Sequence, residues 1–171
     1  MSELPFTYPV IGIGPHADPR FEGEEFLRFR NEVEVTSVDP ADDIADRLGM
    51  SLIDATGQSW KIRSLKKVGA GKPWLARIAY ELANAFRTPR IELDLVEQPP
   101  IPLEEIKARV CGSIKANADI WRDDEAIAGE AAPPREEEEM LDELMNEVRR
   151  AGSVAEMVGN IDALLSARGV G

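Results

Sequence analysis

Two glycine-bearing stretches and one histidine are the first places where this sequence could hold chemistry. Gly12-Ile13-Gly14 follows an apolar run, and His16, the single histidine of the chain, stands just beyond it. A dinucleotide fingerprint needs G-x-G-x-x-G with a helix starting at the glycines, so that the helix N-terminus faces a pyrophosphate. Ala17 takes the third-glycine position, which the looser motif tolerates. Pro15 and Pro19 bracket the place where that helix would run, and Asp18 to Gly23 has no apolar stripe. The stretch therefore reads as a strand end and a proline-rich exit turn. The second stretch, Lys66 to Trp74, fails twice as a phosphate-binding loop of the G-x-x-x-x-G-K-[ST] type. Lys66 stands where the first glycine belongs, and Pro73 stands where a hydroxyl would hold magnesium.

The remaining reactive groups are sparse. His16 titrates near neutrality and could act as a general base. No serine sits in a G-x-S-x-G elbow beside it. Cys111 follows Val110 within an amphipathic pattern, where a cysteine packs; a Cys111–His16 pair stays open as an alternative. One cysteine makes no internal disulfide, and one histidine makes no Cys/His zinc cluster. Glu92 and Asp94 project from the same face of one strand, a spacing suited to a cation or to paired-carboxylate chemistry, or to a solvated strand face. Asp39, Asp42 and Asp43 cluster as helix-capping residues do. No metal and no cofactor is expected from this set.

These groups need elements to position them. Phe6 to Ile13 is apolar and β-branched and predicts a strand. Phe21 to Arg30 fits a short helix or a strand. Glu32 to Val38 sets Val33 and Val35 against Glu32 and Glu34, the alternation of a half-buried strand. Asp39 to Gly49 predicts a helix, with Asp39 as cap and Pro40 at its first position. Ser51 to Lys67 predicts a hairpin turning at Ala55-Thr56-Gly57-Gln58, with Trp60 and Ile62 on one face and Lys61 and Arg63 on the other. A helix follows from Lys72 to Phe86, then a strand from Arg90 to Glu97. Pro102 opens a helix whose stripe runs from Leu103 to Trp121. Met140 to Val148 predicts an amphipathic helix, and Ser153 with Glu156 forms a capping box for the last one.

The class is α+β: a mostly antiparallel sheet of about four or five strands, four or more helices, and a C-terminal helix pair. The expected organisation is a core domain over 1–121, an acidic, proline-containing linker or loop over 122–139, and the helical pair over 140–168, packed on the same core.

Charge narrows the function classes. The chain of 171 residues carries 32 acidic and 20 basic residues, a net charge of −12. Such a surface repels nucleic acid and anionic membrane and favours a basic partner. No apolar run reaches the ~18 residues of a membrane span, and the N-terminus has no signal-peptide pattern, so a cytoplasmic location is expected. The carboxylates concentrate late: Asp123 to Glu147 holds eleven acidic residues and one basic residue, Arg135. The expected partner-binding set is Trp121, Asp123, Asp124, Glu125, Glu136, Glu137, Glu138 and Glu139. An acidic surface of this kind steers a basic protein.

A resemblance points the same way. Asp54-Ala-Thr-Gly57-Gln-Ser-Trp60-Lys-Ile62 forms a D-x-x-G-x-x-W-x-I hairpin. It is followed by a helix ending in an aromatic, Leu103 to Trp121, and by the helix start Ala151-Gly-Ser-Val-Ala-Glu156. Over roughly residues 50–165 this order resembles small bacterial immunity proteins of polymorphic-toxin and contact-dependent inhibition systems. The resemblance implies a cytoplasmic, non-catalytic inhibitor that binds a toxin domain. The alternatives are a small enzyme or ligand-binding domain with a site near His16 and Glu92/Asp94, and an assembly module that associates through the C-terminal helices.

Overall fold

The computed structural model describes residues 4–15, 23–37, 47–68, 90–118 and 134–167, with the backbone alone at 134–137. Within them the order is β1 (Val10–Pro15), β2 (Glu24–Phe29), α1 (Glu32–Thr36), β3 (Ser51–Ile53), β4 (Ser59–Val68), β5 (Arg90–Gln98), α2 (Leu103–Ala116), α3 (Pro134–Arg150) and α4 (Val154–Ala167). The strands form one sheet in the order β2-β1-β3-β4-β5, every neighbour antiparallel. The fold is α+β. His16, the helix expected from Asp39, the helix from Lys72 to Phe86, and residues Trp121 to Asp124, Glu125 and Pro133 lie outside the described residues.

Strand alternation divides the apolar residues between two faces. Ile11, Ile13, Phe26 and Ile53 turn to one side and join Ile106, Val110 and Ile114 of α2, Met140, Leu144 and Val148 of α3, and Met157, Val158 and Ile161 of α4. Val10, Phe29, Leu52 and Ile62 turn to the other, with Val35 and Met50. Each of these side chains, taken fully out of water, stabilises the fold by about 1.5–3 kcal/mol before ordering costs are counted. The two C-terminal helices and the sheet therefore share one cluster.

The edge strand β2 is clasped at both ends. Glu24 takes both Arg109 nitrogens, at 2.9 and 2.6 Å, and Asn117 donates to the Glu24 carbonyl at 3.0 Å, which joins β2 to α2. Arg28 and Arg30 both donate to Asp162 of α4, the latter at 2.9 Å. Half-burial pulls the Arg28 guanidinium below its ordinary range, and the Asp162 carboxylate opposes that pull. An edge so covered is a poor template for further pairing.

Two elements differ from the sequence expectation. Glu32 to Val38 is not a strand: Glu32–Thr36 is a one-turn helix, α1. Asn31 caps it, accepting from Glu34 N at 3.1 Å, while the Glu34 carboxylate reaches back to Arg30 N at 2.7 Å. This local bonding outweighs an alternation of only two valines, and Val33 is left 55% exposed while Val35 is buried. The helix expected from Met140 also begins earlier: α3 starts at Pro134 and carries residues 136–139, which the sequence reading placed in the linker or loop. The ambiguous stretch before Arg30 is strand β2.

The hairpin turn lies where the sequence places it. Asp54, almost fully buried, accepts from Thr56 N at 2.9 Å, Thr56 Oγ1 at 2.6 Å, Gln58 N at 3.2 Å and Thr7 N at 3.1 Å. Gly57 takes a φ of +87°, open to glycine at little cost. Gly12 and Gly14 have a different reason. A Cβ on Gly12 would stand 2.5 Å from Met50 Sδ, and one on Gly14 would stand 3.0 Å from Met50 Cα. The G-x-G of the sequence is a slot for Met50.

Candidate functional site

Helix α3 presents two contrasting faces. Met140, Leu141, Leu144 and Val148 are buried in the core, so the helix cannot rotate. Glu138, Glu139, Asp142 and Glu143 are exposed on the opposite side. Their spacing stacks Glu138 over Asp142 and Glu139 over Glu143, one turn apart, with Cβ atoms about 5–6 Å from each other. Like charges so placed destabilise a helix by roughly 0.2–0.5 kcal/mol per pair.

Several carboxylates elsewhere are compensated. Glu24 is paired with Arg109, Asp94 with Arg63, Glu104 with Lys107, Glu147 with Arg150, and Asp162 with two arginines. Among the described residues, Glu138, Glu139 and Asp142 form no ion pair. The helix dipole favours acids in the first turn, which covers residues 136 and 137 but not Asp142, two turns on. Arg149 and Arg150 lie at the far end, bound to Asn146 at 3.1 Å and Glu147 at 3.0 Å. The exposed face of α3 thus carries three carboxylates, Glu138, Glu139 and Asp142, that form no ion pair among the described residues.

Of the residues expected to bind a partner, Glu138 and Glu139 stand on this strip. Glu136 and Glu137 belong to the same helix, and Trp121, Asp123, Asp124 and Glu125 lie outside the described residues. Asp142 and Glu143 were missed as named site residues. Their signal was present in the sequence: each stands four residues after an acid already in the set.

Of the other candidate groups, Asp94 is committed to structure. Asp94 is held by Arg63 at 2.8 and 3.0 Å and by Ser64 at 3.2 Å. The Arg63 hydrogen bonds keep its carboxyl below the usual carboxylate range. Glu92 stands opposite Lys66 across the ribbon. Pro15, the chain neighbour of His16, ends β1, three strands from β5, about 14 Å at the ordinary interstrand spacing. Among the described residues no group of three or more His, Cys, Asp and Glu side chains is arranged to hold a metal ion.

Cys111 is half-buried on α2, its thiol 3.8 Å from the Met145 carbonyl. Burial pushes the thiol above its ordinary value, and Arg149 opposes this more weakly. The raised value favours the fold below the unfolded thiol value of 9.0, and that contribution fades as pH rises through the folded value. Alkylation by iodoacetamide near pH 8 is expected to be at least ~10-fold slower in the native protein than in urea, because the thiolate is the reacting form. Equal rates would show an activated cysteine.

No family model matches the chain, and neither a curated protein nor a solved structure is found similar to it. No helix among the described residues is long and apolar enough to cross a membrane.

Proposed function

We propose that this chain is a non-catalytic, immunity-like binding protein of the cytoplasm that neutralises a bacterial toxin domain through the acidic face of α3. The observation that carries this reading is the pair of stacked carboxylate rows, Glu138 over Asp142 and Glu139 over Glu143, on a helix whose other face is locked in the core. The repulsion in these rows costs the fold stability, and among the described residues Glu138, Glu139 and Asp142 form no ion pair that offsets it. A basic partner relieves it on binding and is drawn in by the same field. Toxin domains that cut nucleic acid are basic at their active sites, because their substrate is a polyanion. A rigid row of carboxylates spaced by a helical turn offers such a site an alternative ligand that cannot be cut.

The test uses, as the proposed partner, a basic toxin domain of the nucleic-acid-cutting kind. Inhibition of that domain by the full-length protein is compared with inhibition by a Glu138→Lys/Glu139→Lys/Asp142→Lys variant. The association rate is expected to fall by at least ~10-fold, the scale over which electrostatic steering operates. These positions are exposed, so thermal melting should move little. An unchanged rate, or no basic toxin domain bound at all, removes the reading.

A further inference from the structure

The two edges of the sheet are treated differently. Strand β2 is clasped by α2 and α4. Among the described residues the outer side of β5 has one partner, Ser37, which bridges to Arg90 at the end where α1 packs. From Glu92 to Gln98 no described strand lies along it. Proteins guard such edges with lysines, prolines or bulges. This stretch of β5 has no lysine and no proline, and the bulge of the ribbon is on β4, at Arg63.

The backbone of this edge is aimed outward at fixed places. Both backbone groups of Ile62 on β4 turn away from β5: Gly49 N donates to the Ile62 carbonyl at 3.0 Å, and Ile62 N donates to the Met50 carbonyl at 3.0 Å. Leu95 is the partner of Ile62 across the ribbon. Opposed residues of an antiparallel ladder exchange both bonds or neither. The N–H and C=O of Leu95 therefore point to the outer side, and the alternation gives Leu93 and Glu97 the same direction. The Glu97 carbonyl carries the side-chain amide of Gln98 at 3.1 Å. Among the described residues the N–H groups of Leu93, Leu95 and Glu97 have no acceptor.

We propose that the outer edge of β5 pairs with the same edge of a second copy of this chain, antiparallel and centred on Leu95, so that two sheets become one. The Ser37 bridge closes the edge at Arg90, and Leu95 is the midpoint of the length left open, Glu92 to Gln98. In this register Leu95 exchanges both backbone bonds with itself across a twofold axis, and Leu93 does so with Glu97 of the second copy. Asp94 then faces Val96, and Glu92 faces Gln98, so no like charges are opposed. Centring on Asp94 would set that carboxylate against itself, and centring on Leu93 would set it against Glu92, which destabilises a pair. The edge also carries little of the net charge of −12, because Arg63 holds Asp94 at 2.8 Å and Lys66 stands opposite Glu92. Leu93 and Leu95, half-buried beside the apolar cluster of the sheet, continue that row into the second copy.

Sedimentation equilibrium and amide hydrogen exchange of the full chain test this over roughly 1–500 µM, the range in which interfaces of limited area associate. The mass is expected to rise toward twice that of one chain. The Leu93, Leu95 and Glu97 amides should gain protection with concentration, while that of Val96, turned to β4, is protected throughout. Added salt should tighten the dimer, since two acidic chains repel at a distance, the opposite of its effect on a basic partner at α3. Leu95→Pro deletes an outward N–H on both copies and no bond to β4, and should weaken the dimer at least ~10-fold. Glu97→Pro removes the next outward N–H from an exposed position and should act likewise, which keeps the test open if Leu95→Pro does not fold. Glu138→Lys should leave the dimer intact or tighten it, which separates this edge from the α3 reading. The proposal is overturned if the chain stays monomeric throughout, if the three outward amides are equally protected at every concentration, or if a folded proline variant dimerises as tightly as wild type, as association through the C-terminal helices would.

Discussion

Asp54→Ala is expected to destabilise the protein by about 3 kcal/mol, because hydrogen bonds to a buried carboxylate are among the stronger ones and their donors are left unpaired. The carboxylate accepts from Thr7, Gln58 and twice from Thr56, so a single side chain ties the hairpin turn to the N-terminal segment. The turn is fixed from a third side as well: Ile101 N donates to the Gly57 carbonyl at 3.1 Å, and Gln58 Nε2 donates to the Gln98 carbonyl at 2.7 Å. Loss of Asp54 therefore loosens the two strands it joins and the approach to α2. At this chain length the melting temperature should fall by roughly 6–12 °C. Asp54→Asn keeps one acceptor oxygen and should cost about half as much. Thermal melts of both variants check the order. An alanine variant within 1 °C of wild type would contradict the central place given to this turn.

Gly14→Val is expected to cost about 3 kcal/mol, at the upper end of what overpacking does. Its Cβ would stand 3.0 Å from the Met50 Cα, and backbone cannot retreat as a side chain can. Gly12 is the informative contrast, since its Cβ would meet the Met50 sulfur, the mobile end of a flexible side chain. Gly12→Ala should be markedly less harmful in a Met50→Ala background, with a coupling of about 1 kcal/mol. No such rescue is expected for Gly14→Val. Denaturant melts of wild type, Met50→Ala and the two glycine variants in each background give both numbers, and no rescue at Gly12 would show that the Met50 side chain is not the obstacle there.

Much of this architecture is readable from residue order, and the reasons are local. The hairpin is announced by Asp54 and Gly57, because the turn needs a side-chain acceptor at its start and a positive φ inside it. The last helix is announced by Ser153 and Glu156, and the Ser153 hydroxyl does accept from Glu156 N at 3.1 Å. Glu156 reaches one residue further back than a capping box requires, to Gly152 N at 2.7 Å. The α1 error has an equally local cause. Asn31 and Glu34 carry a capping signature, and two valines in five residues fit either period. The clasps on β2 were beyond reach, since Arg28 and Asp162 are 134 residues apart and pairing at that distance leaves no mark on spacing.

The candidate site was half legible. Composition located the acidic segment, and residues 136–139 fell within it. The sequence did not show that these residues are helical, and without a helix the four-residue spacing to Asp142 and Glu143 has no meaning. Nor did it show that the glutamate run is held in place by Met140 and Leu144 on its buried side. Net charge said that a basic partner is favoured. The fold adds that the charge is displayed on a fixed element, and that Glu138, Glu139 and Asp142 form no ion pair there among the described residues.

The acidic-face proposal is tested most directly by the association rate of the proposed partner, a basic toxin domain, with this protein as a function of ionic strength. Steering by the α3 carboxylates predicts a rate that falls at least ~10-fold between low and high salt, and a slope flattened by the Glu138/Glu139/Asp142 reversal. A rate independent of salt, or a slope that the reversal leaves unchanged, would contradict it.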